Sequence, residues 1–393
     1  MAEDESMPSR IGTFVSRQLA GEIVKSYIPK PLPPDPPIEL GRIVNSVEAA
    51  NRELGRLDGV ATVLPDTSLF IWMYIRKEAL LSSQIEGTQS TMSDLLLFEN
   101  GETPMVPLDD VMEVSNYLKA MEHGLARLRE GFPLSLRLIR EMHEKLLASG
   151  RGASKQSGEF RVTQNWIGGT RPGNALFVPP PPDDVQSCMS DLEKFLHQRQ
   201  TYPVLLRAAM AHVQFETIHP FLDGNGRLGR LLITLMLCED GALTQPTLYL
   251  SLHLKTHRQR YYDLLQLVRE KGDWETWLTF FLEGVAATSR QGFDTAQKLI
   301  ALLRDDEKKI ADIGRAAPMA LRVHTDLKRH PVLSVPIAAK RLGISQPTIQ
   351  SALSRLVALG IVREITGRQR GRLYTYHRYL AVLDEGTQPL PRP

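Results

Sequence analysis

Apolar residues recur at helical spacing through most of this chain, beginning near Glu39. One stretch, residues 68–83, is so rich in apolar side chains that it predicts a mostly buried helix. Elsewhere apolar residues recur at intervals of three and four, as an amphipathic helix requires. The pattern therefore predicts a mainly α-helical protein. Further helices are predicted over residues 108–129, 135–147, 183–198 and 204–218.

Three parts of the chain depart from this helical pattern. Residues 29–37 are rich in proline, so the arm 1–37 is expected to be loose and extended. Residues 160–167 alternate between apolar and polar with glycines nearby, which predicts a short β-hairpin. Near the C-terminal end the pattern indicates two short helices, joined by a turn at Gly343, and then two strands. These elements are predicted over residues 335–345, 346–356, 361–365 and 373–376.

The segment 219–230, His-Pro-Phe-Leu-Asp-Gly-Asn-Gly-Arg-Leu-Gly-Arg, brings together a titratable base, a carboxylate, glycines and arginines. An apolar run, residues 231–237, follows at once, so the segment is predicted to be a loop leading into a helix. At a helix N-terminus, free backbone N–H groups and the helix dipole favour phosphate. Arg227 and Arg230 would share one face of the first turn. A calcium loop and a Walker-type loop are disfavoured, because their acidic spacing and their Gly-Lys-Ser/Thr are missing.

Composition narrows the class of protein. The chain has 393 residues, 42% of them hydrophobic and 23% charged, as in globular proteins with two or three domains. A formal net charge of +2 gives no overall bias towards nucleic acid or membranes. Cys188 and Cys238 have no metal-binding spacing and provide no disulfide framework. No apolar stretch reaches membrane-helix length and no signal peptide is recognisable, so a cytoplasmic protein is expected.

The segment 219–230 resembles the Fic family motif His-Pro-Phe-x-Asp-Gly-Asn-Gly-Arg-x-x-Arg at every fixed position. The resemblance implies a mainly helical protein adenylyltransferase, which moves AMP from ATP to a Tyr, Thr or Ser hydroxyl of a protein. It makes His219 the general base and Asp223 the Mg²⁺ ligand. It places Phe221 under the loop as a packing residue. The residues that it assigns to the nucleotide are Thr217, Ile218, Gly224, Asn225, Gly226, Arg227, Leu228, Gly229, Arg230 and Tyr261.

Residues 82–87 resemble the inhibitory pattern of the same family, Ser/Thr-x-x-x-Glu-Gly/Asn. Its fixed positions here are Ser82, Glu86 and Gly87. The resemblance implies an N-terminal inhibitory helix whose Glu86 pairs with Arg230 and so blocks productive ATP binding. The alternative is an ordinary helix end, capped by Gly87, with Glu86 exposed to solvent.

The hairpin around residue 167 resembles the flap of the Fic family, which holds the target segment by strand addition. Trp166, Ile167 and Gly168 would lie near the target, although a hairpin that only covers the core remains an alternative. The C-terminal region resembles a winged helix-turn-helix domain. Its basic turn suits phosphate and its second helix suits base edges, but such domains also dock proteins or dimerise. The residues concerned are Arg368, Arg370, Arg372, Gln346, Thr348 and Gln350.

Together these patterns predict a Fic helical bundle with a short β-hairpin flap and a C-terminal winged helix-turn-helix domain. The favoured function is an autoinhibited adenylyltransferase that uses ATP and Mg²⁺, with self-modification and a homodimer as open alternatives. A bifunctional enzyme that also removes AMP, transfer of another phosphate-containing group, and a DNA-binding regulator with a nucleotide-sensing Fic part remain open. The predicted divisions are a flexible arm (1–37), an N-terminal helical region with the inhibitory helix (38–107), a catalytic domain (108–287), a connecting helix (288–315) and the winged domain with its tail (316–393).

Overall fold

The computed structural model describes residues 10–19, 21–62, 67–152, 154–367 and 371–390, and these residues are mainly helical. None of the described helices has the length and apolar content needed to cross a bilayer. The helices before the C-terminal region are α1 (Leu40–Thr62), α2 (Thr67–Ile85), α3 (Met92–Glu99), α4 (Leu108–Arg129), α5 (Leu136–Leu146), α6 (Pro182–His197), α7 (Val204–Ile218), α8 (Asn225–Glu239), α9 (Ser251–Thr256), α10 (Arg258–Lys271) and α11 (Trp274–Ala311).

Helices α7 and α8 form the centre of the bundle. Nearly every side chain of α7 is buried, including polar ones, because α6, α8, α10 and α11 all pack against it. Trp277 of α11 is fully buried and donates its indole N–H to the carbonyl of Ala209, 3.0 Å away. Helix α1 lies along α11, and α2 packs on α4 and α9. The loop that joins α7 to α8, residues 219–224, is therefore held on a rigid helical pair.

The N-terminal segment corrects the sequence prediction of a loose arm over residues 1–37. Strands β1 (Thr13–Leu19) and β2 (Glu22–Ile28) form an antiparallel hairpin, in which Val24 and Tyr27 are 3% exposed. Tyr27 donates its backbone N–H to Val178, and Arg17 pairs with Asp183. The apolar residues of β2 pack against the helical body. The proline content of the arm gave no indication of this packing. Residues 1–9 lie outside the described part of the chain.

The hairpin predicted over residues 160–167 is reduced to a single antiparallel bridge between Ile167 and Phe177. Ile167 donates its N–H to Phe177 at 2.9 Å, and no strand is assigned over the residues before it. Arg161 is 1% exposed, and it and Asn165 donate to backbone carbonyls of the loop 219–224. The backbone N–H of Arg161 also donates to the carbonyl of Pro220 at 2.9 Å, so side-chain and backbone hydrogen bonds together hold this segment to the loop.

The C-terminal region contains a small antiparallel sheet, packed with helices, in the order β3 (Val332–Ser334), β5 (Leu373–Thr375) and β4 (Arg363–Glu364). Ser345 caps the helix that follows the turn by accepting from the N–H of Thr348, 3.4 Å away. The boundary predicted at residue 287 falls inside α11, where buried apolar residues continue at helical spacing. Arg368 and Arg370 lie outside the described residues. The elements are α12 (Ala317–Arg329), β3 (Val332–Ser334), α13 (Val335–Leu342), α14 (Gln346–Ala358), β4 (Arg363–Glu364), β5 (Leu373–Thr375) and α15 (His377–Leu383).

Candidate active site

His219 ends helix α7 in the left-handed backbone region, with φ 48° and ψ 59°. Residues other than glycine adopt this region at a cost, and such strain clusters at functional sites. Hydrogen bonds to its carbonyl hold it there: Arg161 donates from Nε at 2.9 Å and Asn165 from Nδ2 at 3.2 Å. The backbone turn at His219 therefore directs its side chain, which is 22% exposed, towards the cleft that the loop borders.

The loop after His219 is braced from below. Phe221 is fully buried, as predicted for a packing residue, and its backbone N–H and carbonyl both bond to the side-chain amide of Asn225. The ring of His143 stacks on Phe221 with centroids 3.7 Å apart. His143 Nε2 bonds to the carbonyl of Asp223 at 3.0 Å, and its Nδ1 accepts from the N–H of Gly158 at 2.8 Å.

His143 was not identified from the sequence. It lies on the buried face of α5, beside Met142. Burial lowers the pKa of His143 to about 4, so the ring is neutral at pH 7. A neutral ring with one N–H and one lone pair matches the two bonds that it makes. His143 therefore fixes the backbone at Asp223 without contributing a charge.

Helix α8 begins where the loop ends. Gly224 takes a positive φ of 78°, and Asn225 is the first helical residue. The Asp223 carboxylate accepts from the N–H of Gly224 at 2.6 Å and its side chain is 40% exposed. The cleft beside this helix N-terminus has a volume of about 300 Å³. Its lining residues are Glu86, Glu113, Arg151, His219, Leu222, Asp223, Gly224, Asn225, Gly226 and Arg227.

Asp223 is the predicted Mg²⁺ ligand, and its environment fits that role. Mg²⁺ in nucleotide sites is commonly bound by one or two carboxylates, with phosphate oxygens and water completing its octahedron. The Asp223 carboxylate opens to the cleft next to the helix N-terminus that suits phosphate. Within the described residues there is no cluster of three or more His, Cys, Asp or Glu side chains with metal-binding geometry.

Arg227 is held by a carboxylate that was not identified from the sequence. Its guanidinium is 4% exposed, and Nη1 lies 3.1 Å from Oε2 of Glu113 on α4, which is 7% exposed. Nη2 lies 3.6 Å from Oδ1 of Asp223. Arg151, which is 56% exposed, bonds Glu113 and Asp110 from the solvent side, at 2.7 Å in each case. The Glu113–Arg227 pair depends on two distant chain segments, so only the fold reveals it.

Arg230 is paired with Glu86, as the resemblance implied. Its Nη2 lies 2.6 Å from Glu86 Oε1, and its Nε donates to the Ser82 hydroxyl at 2.8 Å. Gly226 leaves room for the pair, because a Cβ there would lie 2.3 Å from Glu86 Oε1. Burial acts to raise the pKa of Glu86, but the charge and hydrogen bond of Arg230 bring it below the ordinary value. Glu86 is therefore ionised at neutral pH, at the end of α2, where Gly87 takes a φ of 103°.

The electrostatics around His219 favour a neutral imidazole. Burial lowers its pKa to about 4, and the charges of Arg269 and Arg161 act in the same direction. Glu216, one turn earlier on α7, lies 4.0 Å from His219 Nδ1. Burial raises the pKa of Glu216 to about 7, and its Oε1 has no hydrogen-bond partner among the described residues. An imidazole that stays neutral at pH 7 is able to accept a proton from a substrate.

Several predicted nucleotide residues lie behind the cleft rather than in it. Tyr261 is 1% exposed and its hydroxyl lies 2.8 Å from His212 Nε2, so the ring belongs to the core, whereas the adjacent Tyr262 is 38% exposed. Thr217 is 2% exposed and accepts a hydrogen bond from Arg269 Nε at 3.1 Å. Ile218 and Leu228 are fully buried, and Gly229 faces Glu216.

The predicted target-binding residues lie on the segment next to the loop 219–224. Trp166 is 38% exposed, and Ile167 forms the bridge to Phe177. Gly168 follows the bridge, opposite Leu176. The bridge belongs to the segment that Arg161 and Asn165 fasten to the loop carrying His219.

Two family models match the chain. Residues 44–126 match the model described as Fic/DOC family N-terminal, and residues 133–237 match the model described as Fic/DOC family. The second match contains the whole of segment 219–230. Residues 133–237 are therefore similar to the Fic/DOC family, and residues 44–126 to the N-terminal part of its members. Helices α5 to α8 lie mostly within the second match, and α2 with Glu86 lies in the first.

Curated relatives of this region include proteins named protein adenylyltransferase Fic. A Protein adenylyltransferase Fic from Aedes aegypti is 37% identical over 153 residues, 38% of this chain and 27% of the relative. Another, from Drosophila grimshawi, is 34% identical over 179 residues, 45% of this chain and 34% of the relative. The matched regions thus span about a third or less of these relatives.

Solved structures of similar fold extend further along the chain. A Fic family protein from Desulfovibrio desulfuricans G20 matches with a TM-score of 0.57 and 22% identity, over 89% of this chain and 98% of that chain. A Fic domain containing signaling protein from Bacteroides thetaiotaomicron matches with a TM-score of 0.52 and 19% identity, over 63% and 95%. These likenesses establish the fold.

Proposed function

We propose that this protein is a protein adenylyltransferase, which moves AMP from ATP to a Tyr, Thr or Ser hydroxyl of a protein. The observation that carries the proposal is one cleft with a neutral, partly exposed His219 at its rim and the N-terminus of α8 at its base. Two motif arginines flank that helix terminus. The name of the curated relatives supports the same reaction.

In the proposed reaction, His219 accepts the proton of the target hydroxyl as its oxygen attacks the α-phosphorus of ATP. A bond forms between that oxygen and the α-phosphorus, and the bond from the α-phosphorus to the pyrophosphate oxygen breaks. The first-turn N–H groups of α8 receive phosphate oxygens, and the forked guanidinium of Arg227 grips the pyrophosphate. Catalysis then depends on positioning and on charge stabilisation.

Asp223 would hold the Mg²⁺, which neutralises the charge that develops on the leaving pyrophosphate. The hydrogen bond from Gly224 orients the carboxylate, and His143 fixes the backbone behind it. These contacts thus hold the Asp223 carboxylate at a fixed position in the cleft, where it would bind the ion.

The proposal includes autoinhibition by Glu86. Arg230 engaged by Glu86 and Ser82 is not available for the γ-phosphate, and the Glu86 carboxylate adds a negative charge where phosphate would lie. Removal of Glu86 would free the guanidinium and relieve the repulsion. Glu86 also lines the cleft with a side chain 35% exposed, which keeps a second role open, the activation of water to remove AMP.

The target is proposed to dock along Trp166, Ile167 and Gly168 by strand addition beside His219. The helix-turn-helix order and three-stranded sheet of residues 317–375 support a winged helix-turn-helix domain, which would select targets or bind DNA. Gln350, one of the residues predicted to reach base edges, instead bonds Tyr374 at 2.8 Å. This contact favours the targeting role over base readout.

The deciding experiment measures transfer of labelled ATP by the wild type, Glu86→Gly and Glu86→Gly/His219→Ala, with Mg²⁺ and cell lysate. Strong labelling by the single variant alone is expected, because it frees Arg230 and retains the base. Mass spectrometry of the active variant tests self-modification by a gain of one AMP. Absence of labelling with all three proteins would refute AMP transfer from ATP.

A further inference from the structure

The last turn of α2 is buried against the C-terminal end of the described chain. Gln84 stands two residues before Glu86 and is 1% exposed. Its Nε2 donates to the carbonyl of Thr387 at 2.8 Å and to that of Ser90 at 2.8 Å. One side-chain amide thus joins the helix that carries Glu86 to a segment 303 residues away in sequence.

Two buried lysines bind the same segment, residues 384–388, which follows α15. Lys255 of α9 donates to Gln84 Oε1 at 2.7 Å and to the carbonyl of Gln388 at 2.5 Å. Lys77, which precedes Gln84 on α2, donates to the carbonyl of Glu385 at 2.7 Å. Burial lowers the pKa of each lysine to about 8.

Segment 384–388 supplies hydrogen-bond acceptors to lysine side chains that are almost completely shielded from water. Lys77 is 3% and Lys255 is 5% exposed, and buried ammonium groups need hydrogen-bond acceptors to offset their desolvation. The carbonyls of the segment supply these acceptors. If the segment leaves, each of Gln84, Lys255 and Lys77 loses a buried carbonyl acceptor, and the end of α2 keeps only the bonds of Gln84 to Ser90 and Lys255.

The segment is also an extension of the C-terminal region. Helix α15 immediately precedes it, and Tyr379 of that helix contacts Met73 on α2. Helices α12 and α11 contact α2 and α15 respectively. A displacement of the C-terminal region would therefore withdraw the segment from the end of α2.

We propose that residues 384–388 form a clamp that holds the last turn of α2, and with it Glu86, in contact with Arg230. The clamp couples the position of the C-terminal region to the inhibition of the Fic cleft. This inference rests on the proposed inhibitory role of Glu86. The clamp residues themselves do not line the cleft.

The test compares Gln84→Met, Lys255→Met and a chain ending at Asp384, each with Glu86 present and in the Glu86→Gly background. Met keeps the length of the Gln side chain and is one atom shorter than Lys, and it removes the polar atoms of both. Lys298→Met is the matched control, because it removes only the exposed ion pair with Glu385 on the same segment. Labelling from ATP and amide hydrogen exchange of residues 82–87 are both measured.

The clamp variants are expected to raise labelling about tenfold when Glu86 is present, within the usual range of coupling between sites. They should leave Glu86→Gly unchanged, and they should speed exchange at residues 82–87, whereas Lys298→Met changes neither. If Glu86→Gly itself labels nothing, the proposed function fails, and the exchange rates alone decide the clamp. Unchanged exchange, or equal stimulation in the Glu86→Gly background, would overturn the clamp.

Discussion

The ion pair between Glu113 and Arg227 offers a test that is independent of any assumed reaction. Glu113 lies on α4 and Arg227 lies in the first turn of α8, so the pair joins two helices across the floor of the cleft. The perturbation is Glu113→Gln, which removes the negative charge and conserves the shape of the side chain. Arg227 then remains as a buried cation, with Asp223 as its nearest carboxylate.

The magnitude follows from burial. Loss of one partner of a buried pair costs about 3–5 kcal/mol, because the other charge is left without compensation. Arg227 is 4% exposed and Glu113 is 7% exposed, so neither is rescued by water. Asp223 Oδ1, at 3.6 Å, retains part of the attraction and points to the lower end, about 3 kcal/mol. In a cooperative unit of about 250 residues this lowers the Tm by about 6 °C.

The assay is thermal unfolding, with Arg151→Gln as the matched control. Arg151 bonds Glu113 from the outside but is 56% exposed, so its loss should cost only about 1 kcal/mol. The reaction provides a second measurement. In a Glu86→Gly background, Glu113→Gln should raise the KM for ATP more than it lowers kcat. A fall in Tm no larger than that of Arg151→Gln would refute the argument that Glu113 holds Arg227.

Three further predictions concern single side chains. Because the pKa of His219 is lowered to about 4 and the base acts when neutral, transfer by the Glu86→Gly variant should persist below pH 6.5 and fall near pH 4 in a pH–rate profile. Tyr261→Phe removes the partner of His212 Nε2, so the free energy of unfolding should fall by about 1–3 kcal/mol while the KM for ATP is unchanged. His143→Phe keeps the ring stack but loses the bond to Asp223, so kcat should fall while the thermal transition remains cooperative.

Local patterns predicted the helices well, since their signal lies in neighbouring residues. Helix α5, predicted over residues 135–147, begins after Ser135, whose hydroxyl accepts from the N–H of Leu138. The first hairpin was missed because the apolar residues of β2 are buried by a distant part of the chain, the segment around Val178. The predicted hairpin at residues 160–167 was wrong in detail, because alternation does not reveal that Arg161 would bind carbonyls of a distant loop.

The residues of the site also divide into those predicted from the local sequence and those that depend on contacts between distant segments. The motif residues were predicted by resemblance, and the structure brings His219, Asp223 and Arg227 to one cleft. Glu113 and His143 were missed, because each acts through a contact with a residue 80 or more positions away. Tyr261 was wrongly predicted to contact the nucleotide, because aromatic spacing on a helix does not distinguish a residue facing the core from one facing a cleft. The exposed ring is that of the next residue, Tyr262.

The two motif arginines differ in how firmly their carboxylate partners are held, and this difference gives each a separate task in the proposed enzyme. Glu113 is 7% exposed and is also bonded to Arg151, so we expect it to stay with Arg227 when nucleotide binds. Glu86 is 35% exposed at the end of a helix, beside Gly87, so water reaches its carboxylate on release, and Arg230, which is 2% exposed, then needs another anion such as a phosphate in its place. In the proposed enzyme we therefore expect Arg227 to be a fixed part of the phosphate site and Arg230 to become available only when α2 releases it. Regulation through α2 would then change phosphate binding without disturbing the floor of the cleft.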